Sequence, residues 1–284
     1  MRTLYFDCFS GISGDMVIGA LIDAGADPLQ MEEELKKLNL NEEYTLSWGK
    51  VVKNGISSTK FDVILTSKSE QPHEHSHSHG HKHSHNGDHS HSHEHEHSHN
   101  DEHNHSHALH NHHGSRTYKQ IVEAINEANL NESVTNMSIA IFKKIGEAEG
   151  HIHGLPLDKV HFHEVGAVDS IIDIIGAAIL IEQLGIESVQ SSAIPTGSGH
   201  IHIDHGIYPV PAPATLEILK GVPIASNAIR SELATPTGAA IAAVLAEKFG
   251  SLPAMTVESI GYGAGTKTFE NHPNVLRIII GEIQ

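Results

Sequence analysis

The chain has 284 residues, with 18 Lys+Arg against 35 Asp+Glu for a formal charge of −17, and it contains 27 histidines. Nineteen of these histidines lie between His73 and His113 with six acidic residues and one lysine, so the remaining 243 residues still carry −12. An acidic body of this kind disfavours non-specific nucleic-acid binding, which depends on Lys and Arg neutralising phosphates, while 243 residues suffice for one large or two small domains.

From the N-terminus, the apolar run Thr3–Cys8 predicts a strand, and the Gly/Ser-rich turn Phe9–Gly14 leads into the helical pattern DMVIGALIDAGA. Asp27 and Pro28 read as N-cap and first turn of a second helix, with Leu29, Met31, Leu35 and Leu38 as its inner face. YTLSWGKVV and STKFDVILT alternate around Lys53-Asn54-Gly55, a β-hairpin signal. The histidine tract follows; almost devoid of apolar residues, it is expected to be a disordered insertion over 71–114 between an N-terminal segment 1–70 and the body 115–284. Ser115 is expected to cap a helix over TYKQIVEAINEAN, paired with a second from Glu132 to about Glu149. An extended piece near Val160–His163 precedes a strongly apolar, central helix from Val168 to Leu184. Residues 187–194, 254–260 and 275–281 read as strands, 209–220 as a proline-rich turn entering a helix, and 238–249 as an Ala-rich helix. The expected fold is α/β or α+β: a mixed sheet with flanking helices, its only clear hairpin early in the chain.

Cys8 is the single cysteine, which excludes an intramolecular disulfide and suits a reducing cytoplasm. The first fifteen residues lack the apolar core of a signal peptide, and no run of 18 apolar residues occurs, so a soluble protein without membrane contact is expected.

Several segments carry metal or anion chemistry. The tract places imidazoles at every second residue, among them His75, His77, His79, His81, His83 and His85. Neutral imidazole is a borderline donor suited to Ni, Cu, Zn and Co, and a flexible array lets several rings converge on one ion. The bland alternative is a solvated linker. A sparser constellation is His161, His163 and Glu164 followed by Asp169 and Asp173: two imidazoles on one face of an extended segment and two carboxylates one helical turn apart. Capping by Asp169 and a structural role for His161 stand as alternatives. Asp7 and Asp15 flank the first strand–helix turn and could hold a metal, whereas Ser10, Gly11, Ser13 and Gly14 could let the backbone approach a phosphate; a tight turn needing small residues is the plainer reading. Neither dinucleotide nor P-loop fingerprint is present. His200 and His202 share a strand face, and Thr235, Thr237 and Gly238 open a helix N-terminus receptive to anions.

DCFSGISGDM (7–16), HFHEVGAVDSIIDI (161–174), HGIYPVPAPATLEIL (205–219), ELATPTGAA (232–240) and GYGAGTK with PNVLRI (261–278) occur in this order. Together they resemble the LarC family of nickel-insertion proteins of nickel-pincer-nucleotide biosynthesis, from Asp7 to about Gly281, with the tract matching a variable His-rich loop. The resemblance implies a CTP-dependent nickel insertase, of the metal-chelatase type among lyases. Ni(II) would enter pyridinium-3,5-bisthiocarboxylic acid mononucleotide through two Ni–S bonds and one Ni–C bond, with CTP consumed alongside Mn or Mg. The product would be the cofactor of lactate racemase and related enzymes, making an apo lactate racemase-type enzyme the recipient. On the matching positions, His161, His163, Asp169 and Asp173 would hold nickel, with His163, Glu164 and Asp169 as candidate catalytic groups. Ser10, Gly11, Ser13, Gly14 or Thr235, Thr237, Gly238 would cradle the phosphate. Family members continue into a C-terminal CTP-binding domain, which this chain is expected to lack. A separately encoded or frameshift-joined C-terminal half is therefore an expected partner, and homo-oligomerisation is left open. The alternatives are a nickel-binding or storage subunit without turnover of its own, and a metal-dependent hydrolase.

Overall fold

The computed structural model describes residues 1–66, 116–162, 167–203 and 206–283. Met1–Thr66 and Gly114–Gln284 form one compact unit. The strands are β1 (Arg2–Asp7), β2 (Tyr44–Lys53), β3 (Ile56–Leu65), β4 (Ser188–Ser191), β5 (Ile194–Pro195), β6 (His200–Ile203), β7 (Gly206–Pro209), β8 (Ile224–Ala225), β9 (Lys248–Phe249), β10 (Thr256–Ala264) and β11 (Val275–Glu282). The helices are α1 (Gly14–Asp23), α2 (Pro28–Leu35), α3 (Tyr118–Glu127), α4 (Glu132–His153), α5 (Val168–Gln183), α6 (Pro213–Ile218) and α7 (Pro236–Leu245).

Seven strands form one mixed sheet in the order β2-β3-β10-β11-β1-β4-β9, so the fold is α/β. β1 is an interior strand: it pairs antiparallel with β11 (Arg2↔Glu282 to Asp7↔Arg277) and parallel with β4 (Thr3↔Ser188), which in turn pairs parallel with β9. The period of two in β1 sends Leu4 and Phe6 into the core among the helices, while Tyr5 and Asp7 take the opposite face. α1 packs across β10, β3 and β11, and α5 lies against α1, α2 and α4. α5 buries eleven residues from Val168 to Ile181, which makes it the helical centre of the core.

The Asn54-Gly55 hairpin forms as expected, with Lys53 opposite Ile56 and positive φ at both turn residues. Asp27 caps α2 by accepting from Leu29 N–H at 2.9 Å. Leu29, however, is 63% exposed, whereas Met31, Leu35 and Leu38 are buried. The last three keep the four- and three-residue spacing of one helical face and Leu29 does not. Thr117, not Ser115, caps α3, in a capping box with Gln120; Ser115 itself lies outside the described residues. α4 runs to His153, a turn beyond expectation, and ends at Gly154 in the left-handed region. α7 begins at Pro236 and stops at Leu245, because the chain must extend to pair β9 with β4. The expected strand over 187–194 divides into β4 and β5, and a second tight hairpin, β6–β7, joins 200–209. No helix among the described residues is long and apolar enough to cross a membrane.

Candidate functional site at the carboxyl edge of the parallel strands

α1 leaves the carboxyl end of β1, while α5 and α7 lead into the amino ends of β4 and β9. All three helix N-termini therefore gather at the carboxyl edge of the parallel strands, where open α/β sheets hold ligands. Close backbone approaches join them. A Cβ on Gly14 would stand 2.4 Å from Asp173 Oδ2, and one on Gly238 would stand 2.3 Å from the Ile12 carbonyl oxygen. Gly11, at φ +102°, lies against Leu233, whose carbonyl accepts from Ile12 N–H at 2.9 Å, and Ile12 O accepts from Thr235 N–H at 3.1 Å. The structure thus brings the 7–15 and 232–240 segments together edge to edge.

Ser10 is buried and donates its hydroxyl to Pro273 O at 2.7 Å. Thr235 Oγ1 caps α7 by accepting from Gly238 N–H, and Thr237 is buried. Gly11, Gly14 and Gly238 thus have protein, not open space, where a side chain would begin. In this state these residues lock the loops to one another. Ser13 is the N-cap residue of α1, but its hydroxyl turns to Asp15 and caps no backbone N–H. Ala167 likewise gives α5 no side-chain cap. Unpaired N–H groups and the positive ends of two helix dipoles meet here.

The acidic residues divide between the two faces of the turn. Asp7 lies on the Tyr5 face and pairs with Arg277, whose Nε donates to Asp7 Oδ2 at 2.8 Å. Asp15 lies on the helical side, 2.8 Å from Lys60 Nζ, and Lys60 also reaches Asp62 at 2.7 Å. Asp7 and Asp15 accordingly belong to separate ion pairs. Asp169 is exposed in the first turn of α5. Asp173, one turn on, is partly exposed as a residue, yet its Oδ1 is out of solvent and without a hydrogen-bond partner among the described residues. Burial, with the charges of Asp15 and Asp169 adding to it, holds the Asp173 carboxyl well above the ordinary range. Burial opposes the Lys60 ammonium, but Asp15 and Asp62 more than offset it and raise its pKa.

His161 is exposed on the extended piece that bridges to Thr117, between buried Val160 and Phe162. His163 and Glu164, just before α5, lie outside the described residues, as does the tract with His75, His77, His79, His81, His83 and His85. His200 and His202 are both exposed on β6, in a two-stranded sheet of its own. Among the described residues, no three His, Cys, Asp or Glu side chains are grouped so as to hold one metal ion. Cys8 is buried, its thiol pushed up to about 12 by desolvation, which leaves it inert as a soft ligand.

On the helix-free side of the same turn, a groove of about 580 Å³ opens beside β1, β4 and β9. It is lined by Asp7, Phe9, Ser192, Pro195 and Asn227, among others. Phe9 meets the His272 ring edge-on at 6.1 Å, and the Arg277 guanidinium lies 6.0 Å from the Phe9 centroid. Sequence reasoning missed Phe9, Lys60, His272 and Arg277 because their partners are up to 270 residues away. Phe9 alone carried a local signal, an aromatic residue inside a Gly/Ser turn.

A family model described as nickel insertion protein matches residues 4–284. The chain is 48% identical over 282 residues to the pyridinium-3,5-bisthiocarboxylic acid mononucleotide nickel insertion protein of Geobacillus kaustophilus, covering 99% of this chain and 60% of that protein. It is 46% identical to the protein of that name from Staphylococcus epidermidis (98% and 59% covered) and 45% identical to that from Clostridium kluyveri (99% and 62%). The chain therefore spans about 60% of the length of these relatives. No solved structure matches it. With a family model covering nearly every residue, the chain belongs to the nickel insertion protein family.

Proposed function

We propose that this chain takes part in inserting Ni(II) into pyridinium-3,5-bisthiocarboxylic acid mononucleotide, the substrate that its relatives' names state. The observation that supports this reading is the buried, unpartnered Asp173 Oδ1 beside Asp15 and the exposed Asp169, at the joined N-termini of α1 and α5. Nickel must be presented by nitrogen and oxygen ligands weak enough to release it to sulfur. Asp169 and Asp173 supply oxygen, and His161, His163 and Glu164 complete the donor set. As the Ni–C bond forms, the ring C–H bond breaks, its electron pair stays on carbon for nickel, and the proton passes to His163, Glu164 or Asp169. The substrate phosphate lies at the uncapped N-terminus of α1, where Ser13 leaves backbone donors open. His200 and His202, with the tract histidines, bind nickel in transit and raise its local concentration.

The described residues offer no grouped metal ligands for Mn or Mg. On this reading CTP is consumed in the part of the relatives' length beyond the match to this chain, supplied by a C-terminal half. The setting is the reducing cytoplasm, and an apo lactate racemase-type enzyme receives the product. The test is nickel insertion with CTP by the parent and by His163→Ala and Asp169→Ala, each with and without a C-terminal half. Full insertion by both variants would refute the site. A nickel-holding subunit without turnover of its own is the second reading; activity that always requires the supplied half favours it.

A further inference from the structure

Among the described residues, Phe9 is the only Phe, Tyr or Trp that is exposed, at 36%, and it lines the groove outside the carboxyl ends of β1 and β4. A large ring left in water within a concave site marks a place where a partner surface is missing. The ring does not swing freely, since His272 abuts its edge and Arg277 lies over it. Arg277 is in turn held by Asp7, which also lines the groove. Pro195 and Pro223 supply apolar walls, and Asn227 is fixed by accepting from Ile229 N–H at 2.7 Å, which leaves its NH2 as the donor end of the side chain. A flat, positively charged heteroaromatic ring suits these surroundings: its face stacks on a ring whose own face is electronegative.

We infer that Phe9 is the stacking platform on which this groove receives the pyridinium ring of the mononucleotide. The identity of the ring rests on the function proposed above; the platform rests on the groove. Phe9 is a positioning residue at the docking stage: the ring stacks on it when the mononucleotide enters, and leaves the groove to meet His163, Glu164 and Asp169 on the helical side of the turn, where it reacts.

The test is calorimetric titration of the full 284-residue chain with nicotinic acid mononucleotide, a pyridinium carboxylate carrying ribose phosphate, and with ribose 5-phosphate, which lacks the ring. The parent binds the ring-bearing ligand more tightly. Phe9→Leu weakens that binding roughly tenfold, as loss of one aromatic stack does, and leaves ribose 5-phosphate unchanged. Phe9→Trp retains the parent affinity. Failure of the parent to bind nicotinic acid mononucleotide, unchanged affinity in Phe9→Leu, or equal loss for both ligands would overturn the inference. If the binding pattern holds but no nickel is inserted under any condition, the proposed reaction fails and the platform stands.

Discussion

Two glycines separate backbone strain from close approach. Gly11 (φ +102°) and Gly25 (φ +113°) both occupy a region that side-chain-bearing residues avoid, yet their surroundings differ. A Cβ on Gly25 would meet nothing within 4 Å, whereas one on Gly11 would stand 2.0 Å from Leu233 O. Alanine at either position pays for the strained backbone, about 1–3 kcal/mol. Gly11→Ala must also push back the Leu233 carbonyl, costing about 1–3 kcal/mol as overpacking does. That movement stretches the Ile12–Leu233 hydrogen bond, and a buried group left unsatisfied costs about 1–3 kcal/mol more. Gly11→Ala should therefore lose at least ~2 kcal/mol more than Gly25→Ala. Urea unfolding with unchanged slopes measures both. Losses within about 0.5 kcal/mol of each other would refute the claim that the 7–15 and 232–240 segments are pressed together at Gly11.

Asp173→Asn tests the buried carboxyl. Because its pKa is raised above 3.8 in the fold, the folded state holds the proton more tightly than the unfolded chain, and ionisation costs stability as pH rises from about 4 toward the folded pKa. The variant should melt level with the parent at pH 4 and higher than the parent at pH 7; a pH-independent offset would contradict the assignment. Thr117→Ala removes the hydroxyl half of a capping box, the acceptor for Gln120 N–H, while the backbone N–H at 117 still donates to Gln120 Oε1, and should cost about 1 kcal/mol in urea unfolding. Equilibrium dialysis after deletion of residues 73–113 should show most bound nickel lost, with a smaller fraction retained by the folded body. Complete loss would leave the cluster at α5 without metal.

Local chemistry made much of the fold legible. Asn54-Gly55, Asp27-Pro28 and the apolar run of α5 each carry their instruction within a few residues, and all three formed as read. Strand order did not, because β4, β5, β8 and β9 are two to four residues long and have no periodicity to read. Leu29 misled because it is apolar but off the face set by Met31 and Leu35. In the site, the spacing of Asp169 and Asp173 foretold a shared helical face, and both act on the same electrostatic cluster. Nothing near Asp7 or Asp15 in the chain announces Arg277 or Lys60. Those partners arrive from β11 and β3, so each carboxylate's company is a consequence of topology.

The interior position of β1, between strands that come from far along the chain, also governs when this protein can begin to work. Its neighbours β11 and β4 come from residues 275–282 and 188–191, and the turn after it is closed by Leu233 and Pro273. Such long-range pairings are slow to form and leave the earliest strand unpartnered during synthesis. The ribosome must deliver nearly the whole stretch through β11 before the carboxyl edge exists, so the gathered helix N-termini come together only as a late product of folding. The imidazoles of the tract, at 73–113, leave the ribosome long before β11 does.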